Sequence, residues 1–182
     1  GSEMCIRDRN VSFPRSTGNT PCFYNHFVTD REEPFDQPGT PEEPKGHYIF
    51  DKPEPLWNFG HGKSYTTFDY VDCALSDTLL AASDTLKVSV MIKNTGRCDG
   101  KEVVQLYVRD KVSTVATPIQ QLKAFQKVLV KSGESQCVEL SLPIAELALY
   151  NAKMEEVVEP GDFEIQIGAA SDDIPVSYTH LR

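Results

Sequence analysis

The sequence predicts an all-β domain, an antiparallel sandwich of about seven strands with a Pro-rich, largely irregular extension before it. Three observations carry that expectation. Short segments between Thr67 and Ile167 alternate apolar and polar residues at period two. Turn signals separate most of them, and the intervening helices that a parallel sheet needs are absent. Finally, the run Val103-Val104-Gln105-Leu106-Tyr107-Val108 carries apolar residues on both faces. Val104, Leu106 and Val108 share one face and Val103, Gln105 and Tyr107 the other, so this strand is expected to lie centrally.

The two ends are expected to lie outside the fold. Residues 2–9 and 175–182 resemble peptides that arise when sequencing-adapter DNA is translated in metagenomic gene models, and Gly1-Ser2 resembles a cloning scar. The domain division that follows is 1–9, an adapter-like segment; 10–64, the extension; 65–174, the sandwich; and 175–182, an adapter-like tail.

Residues 10–64 hold eight of the twelve prolines, so no helix or central strand can run far there. Yet Phe13, Phe23, Tyr24, Phe27, Tyr48, Ile49, Phe50, Leu56, Trp57 and Phe59 supply far more aromatic and apolar surface than a free linker carries. Such a segment is expected to lie extended across another surface, one outside this chain. Residues 28–55 are expected to be mobile in its absence.

From Tyr65 the pattern becomes regular. Residues 67–75 suggest a first strand. Residues 86–93 form a second, with Leu86, Val88, Val90 and Ile92 inward. Asn94-Thr95-Gly96 and Asp99-Gly100 turn the chain into the central strand. Residues 122–130 make a fourth, ended by a turn in which Gly133 can take positive φ. Residues 137–142 make a fifth, with Val138, Leu140 and Leu142 on one face. Residues 143–150 break period two and suggest about two helical turns, with Ile144, Leu147 and Leu149 turned inward. Leu142-Pro143 with Leu147 and Tyr150 suggests a tyrosine corner in which the Tyr150 hydroxyl bonds to upstream backbone. Residues 154–158 suggest a short sixth strand. Glu159-Pro160-Gly161-Asp162 suits a type II turn, and residues 163–167 suggest the last strand.

Composition excludes several classes. The net charge of −9 argues against sequence-independent nucleic-acid binding and against an anionic membrane surface. No apolar run approaches the roughly 18 residues of a spanning helix. The five cysteines form no C-x-x-C pair and no disulfide framework, so free, partly buried thiols are expected. His26, His47 and His61 share no metal-ligand spacing, so no metal and no cofactor is expected. The acidic residues gather in residues 30–54 or on outward strand positions, where solvation explains them. No nucleophile elbow or phosphate loop occurs.

Several ordered motifs carry a family resemblance. Phe59-Gly60-His61-Gly62-Lys63-Ser64-Tyr65-Thr66-Thr67-Phe68 resembles an F-G-x-G-L-S-Y-T-x-F signature, with Lys63 for the usual Leu. Asn94-Thr95-Gly96, with Asp99-Gly100-Lys101-Glu102 running into the central strand, matches N-T-G-x-x-D-G-x-E-V-V-Q-L-Y-V. Leu122-Lys123-Ala124-Phe125-Gln126-Lys127-Val128 is similar to L-K-G-F-x-K-V, and Glu159-Pro160-Gly161-Asp162-Phe163 continues the match in order. Upstream, Val11-Ser12-Phe13-Pro14-Arg15-Ser16 resembles the run leaving an α/β domain. These motifs resemble glycoside hydrolase family 3, in which the likeness covers the C-terminal fibronectin type III-like (immunoglobulin-like) sandwich and the tail of the α/β sandwich domain before it.

The resemblance implies a parent β-glucosidase or β-xylosidase of the retaining, two-carboxylate type. It places the nucleophilic Asp and the acid/base Glu upstream of the motifs matched here, so no catalytic residue carries over and no turnover by this chain alone is expected. The implied partners are the catalytic domains of the same polypeptide, and the implied compartment of the parent is extracellular or periplasmic rather than cytoplasmic. As an alternative, exposed aromatics could hold a polysaccharide. The densest group is Trp57, Phe59, His61 and Tyr65, whose other reading is as anchors of the loop joining the sandwich to its neighbour.

Overall fold

Alternation is obeyed most strictly in the second strand, where Leu86, Val88, Val90 and Ile92 are all but inaccessible and the residues between them are not. A computed structural model describes residues 11–20, 22–27, 40–42, 51–52 and 54–181. Its strands are β1 (Phe68–Leu75), β2 (Thr85–Asn94), β3 (Gly100–Asp110), β4 (Gln121–Val130), β5 (Ser135–Pro143), β6 (Leu149–Tyr150), β7 (Glu156–Val157), β8 (Phe163–Gly168) and β9 (Val176–Leu181). They pair as two larger sheets, in the orders β1-β2-β5 and β4-β3-β8-β9, plus the small β6-β7 ribbon. Every pairing is antiparallel.

The two larger sheets pack face to face around one core. Leu86, Val90 and Ile92 of β2 and Val138 and Leu142 of β5 meet Val104, Leu106 and Val108 of β3 and Ile165 and Ile167 of β8. This is the antiparallel two-sheet sandwich that the pattern predicts. β3 lies centrally as its two-faced composition requires, with all six residues of the Val103–Val108 run buried. Gly133 takes φ +76°, closing the β4–β5 turn with open space around it.

Several local expectations are corrected. Residues 143–150 give one 3-10 turn, Ile144–Leu147, rather than two helical turns; Ile144 and Leu147 are buried as expected. The segment 154–158 contributes only the two residues of β7, because Met154 turns left-handed at φ 63°. Gly161 is not among the positive-φ glycines and residues 159–162 run without a turn, so the type II turn does not form. Tyr150 is 59% exposed and lies on β6 opposite Glu156 on β7, so the tyrosine corner is absent. Cys98 and Cys137 are exposed free thiols, while Cys22 and Cys73 are half-buried. Burial beside Asp72 pushes the Cys73 thiol up to about 11.

The seventh strand of the two main sheets comes from the segment expected to be a tail outside the fold. Val176–Leu181 pairs antiparallel with β8, setting Val176 opposite Ile167 and Tyr178 opposite Ile165. Val176 packs against the core, and the Tyr178 hydroxyl donates to the Cys73 carbonyl on β1 at 2.7 Å, tying the two sheets together. The physical reason is that β8 presents unpaired backbone donors and acceptors along its free edge, and an alternating segment a few residues downstream satisfies them.

Part of the extension lies on this chain's own sandwich, where Tyr24 meets Tyr107. Phe13 and Trp57 form a bridge, and Phe27 bridges Pro118 in the β3–β4 connection. The mobility expected of residues 28–55 falls largely on residues outside those described. Of the rest, Asp51 accepts from the Ser16 hydroxyl at 2.7 Å and the Lys52 carbonyl accepts from the Asn19 amide at 2.5 Å, so these are tied down.

Candidate functional site

The outer face of β3 is where the extension meets the sandwich. Gln105 and Tyr107 point away from the core, and a polar side chain there is stable only if its hydrogen bonds are made. They are. Gln105 Nε2 donates to the Ala169 carbonyl at 2.5 Å and to the Gly60 carbonyl at 3.4 Å. Gln105 Oε1 accepts from the Tyr107 hydroxyl at 2.6 Å. Tyr107 is inaccessible, and burial raises the pKa of its phenol, helped by the neighbouring Tyr24 and Asp172.

Tyr24 and Phe59 close this face. Their rings stack at 4.0 Å, Tyr24 meets Tyr107 edge-on at 6.0 Å, and the Tyr24 hydroxyl accepts from the Leu122 N–H at 3.2 Å. The Phe59 carbonyl accepts from the Ser171 N–H at 2.9 Å, and Asn58 donates to Asp172 at 2.7 Å. Gly60, at φ +79°, is the pivot: a Cβ there would sit 2.3 Å from Gln105 Oε1. Gly60→Ala is therefore expected to cost about 2–3 kcal/mol, combining left-handed strain with displacement of the buried amide. A thermal midpoint unchanged from wild type would show that Gln105 can move aside freely.

A second attachment lies a few residues on. Thr66 is buried, and its hydroxyl donates to Asn94 Oδ1 at 2.6 Å. Asn94 is fully buried, and its amide donates to the Cys98 and Val130 carbonyls at 2.9 Å each while Oδ1 also accepts from the Gly96 N–H at 3.0 Å. Gly96 and Gly100 leave room for Thr66. A Cβ on either would lie 2.0 Å from its Oγ1 or 2.4 Å from its Cγ2. Two motifs distant in sequence thus interlock because one lacks side chains where the other places one.

The four aromatic-group residues do not form one platform. Phe59 is in the Tyr24 stack. Trp57, 37% exposed, packs edge-to-face on Phe13 at 5.8 Å. His61 is half-buried; its N–H donates to the Asn58 carbonyl at 3.1 Å, while Nε2 is enclosed without a hydrogen-bond partner. Tyr65 projects into solvent at 84% exposure, beside the Asn94–Gly100 turn through a Cys98 thiol contact to its carbonyl. Gln105, Asn94 and Thr66, which organise this region, carry no chemical motif. Their signal is a polar residue on the apolar face of a central strand and two glycines spaced around an Asn.

A cleft of about 490 Å³ opens at the Phe68 end of β1, lined by Phe68, Tyr70, Glu102, Asp69 and Asp173 among others. Glu102 lies fully buried behind Tyr70, whose hydroxyl donates to Glu102 Oε1 at 3.1 Å, while Asp69 and Asp173 are exposed at the rim. The carboxylates lining the cleft are thus the solvated Asp69 and Asp173 and the buried Glu102, which the Tyr70 hydroxyl engages. Among the described residues no group of three or more His, Cys, Asp or Glu side chains could hold a metal ion.

Residues 102–171 match the model of the Fn3-like family, described as the fibronectin type III-like domain. The chain is 40% identical over 166 residues to a β-xylosidase of Formosa agariphila, covering 90% of this chain and 22% of that protein. It is 37% identical over 164 residues to the periplasmic β-glucosidase of Salmonella typhimurium, covering 88% and 21%. Among solved structures, a β-glucosidase from Listeria innocua in complex with isofagomine superposes with TM-score 0.81 at 35% identity, over 93% of this chain and 23% of that one. The chain thus spans about a fifth of the length of the relatives it matches.

Proposed function

Because this chain belongs to glycoside hydrolase family 3, as a fibronectin type III-like module of such an enzyme, we propose that it serves as a structural, non-catalytic part of a β-glycosidase. The whole protein, on this reading, releases β-linked glucose or xylose by the retaining mechanism, with two carboxyls about 5 Å apart supplied by domains other than the sandwich. The module's partners are those catalytic domains, and the compartment is extracellular or periplasmic. On this reading the chain divides at about residue 65, shortly before β1 begins at Phe68. The single observation that best supports the reading is the attachment of residues 54–67 to the sandwich at both Gln105 and Asn94, which makes the connection rigid.

A chimera tests it. The segment of the Listeria innocua β-glucosidase that superposes on this chain is replaced by this chain, and hydrolysis of an aryl β-glucoside is followed. The chimera is expected to turn over substrate and the 182-residue chain alone to show none. Saturable hydrolysis by the pure chain would overturn the non-catalytic role, and a folded but inactive chimera would overturn the structural one. The exposure of Tyr65 favours one other reading, a polysaccharide contact. Retarded migration in gels containing β-glucan or xylan, abolished by Tyr65→Ala, would decide for it.

A further inference from the structure

We propose that Glu159 is an acid-released latch on the connection between β3 and β4, residues 111–120. Beyond the last ladder pair of β3 and β8, Asp110 opposite Phe163, the two stretches of chain stay together. The Lys111 N–H donates to the Asp162 carbonyl at 3.2 Å, and a Cβ on Gly161 would lie 3.5 Å from the Val112 carbonyl oxygen. Glu159 ends this zipper. One of its carboxylate oxygens accepts from the Thr114 N–H at 2.9 Å, and the other accepts from the Thr114 hydroxyl. Both oxygens are thus taken by one residue of a connection that has no strand or helix of its own. At its far end the connection is held by backbone contacts, which carry no charge. The Ile119 N–H donates to the His26 carbonyl at 2.9 Å, and Pro118 bridges Phe27. Between the two attachments the segment borders a cavity of about 230 Å³ lined by Phe27, Arg109, Asp110, Val115 and Pro118, among others.

The Glu159 attachment needs an ionised carboxylate. Thr114 offers two donors, and a protonated carboxyl turns one of its two acceptors into a donor. The neighbouring charges set the pH at which this happens. Asp110 accepts from the Val112 N–H at 3.1 Å, and burial, then the charge of Glu159, raises its pKa. The Thr114 hydroxyl and N–H, with the Ser113 hydroxyl, lower that of Glu159. Lys111 and Arg109 act instead on Glu164 of β8. The 3-10 turn and the β1–β2 loop present Leu80, Ala82, Ile144 and Leu147 to this stretch, none of them charged. On acidification Asp110 therefore takes its proton first, which removes a repulsion and leaves the latch closed. Glu159 follows below the ordinary carboxylate range. The stability that its ionised form contributes above that range is then lost, and residues 111–117 come free while the contacts at Pro118 and Ile119 remain.

The test follows amide exchange in the 182-residue chain by heteronuclear NMR, from neutral pH down to about pH 3, with rates corrected for the intrinsic effect of pH. Protection of the Thr114 amide is expected to fall about tenfold across this range, while that of Ile119 and of the β3 amides holds. Glu159→Gln keeps the size of the side chain but exchanges one acceptor for a donor. It is expected to show the low protection already at neutral pH and to change no further in acid. Thr114→Ser, which keeps both donors, is expected to titrate as the wild type does, and Asp110→Asn to leave the opening in place. Equal protection of Thr114 at both ends of the range would overturn the latch. So would an opening that Asp110→Asn abolishes and Glu159→Gln does not. Simultaneous loss of protection at Thr114, Ile119 and β3 would show unfolding of the whole sandwich in place of a local release, and would overturn it as well.

Discussion

Asn94→Ala is expected to lower the unfolding free energy by about 3–5 kcal/mol, read as a fall in the urea midpoint with the slope unchanged. The side chain is fully buried, and it donates twice and accepts twice. Alanine strands the Val130 and Cys98 carbonyls, the Thr66 hydroxyl and the Gly96 N–H together, and a buried orphan costs more than a net hydrogen bond contributes. Four groups on three stretches of chain lose their common partner, so the loss exceeds that of an ordinary polar truncation. Asn94→Asp is expected to do no better, since it keeps the acceptors but sets a carboxylate against two carbonyl oxygens. A loss below about 1 kcal/mol for the alanine variant would mean that water reaches and satisfies these groups.

Leu106→Ala is expected to cost about 2–5 kcal/mol. Leu106 is wholly inaccessible at the middle of β3, with Ala124 of β4 on one side and Ile167 of β8 on the other. Small Ala124 leaves Leu106 to fill that stretch of the inter-sheet space, so truncation opens a cavity that its neighbours cannot close without moving two strands. The value follows from chemical denaturation of the 182-residue chain. A loss under about 1 kcal/mol would place Leu106 outside the packed centre, against the register described here.

The legibility of the fold follows its periodicity. β2 alternates cleanly from Leu86 to Ile92 and β3 is apolar on both faces, so their existence, direction of burial and centrality could be read from residue order alone. Residues 143–162 could not. Pro143, Pro160 and Gly161 signal punctuation without specifying its geometry, and the left-handed turn falls at Met154, a residue type that does not advertise it. The site was harder still. Trp57, Phe59, His61 and Tyr65 stand close in sequence, yet the structure divides them between a ring stack, a strand-like bridge and open solvent. Proximity along the chain says nothing about which face a loop residue takes, because loops lack a fixed repeat. The partners that settle Phe59, namely Tyr24 and Ser171, are tens of residues away.

The pairing of β8 with Val176–Leu181 bears on handling of the protein. An epitope or affinity peptide fused directly after Ile174 would begin where a backbone ladder is waiting, and any alternating sequence of suitable length could be drawn into it. Such a label would be hidden from its antibody or resin. A spacer of glycine and proline, which neither extends a ladder nor packs beneath one, would keep it accessible.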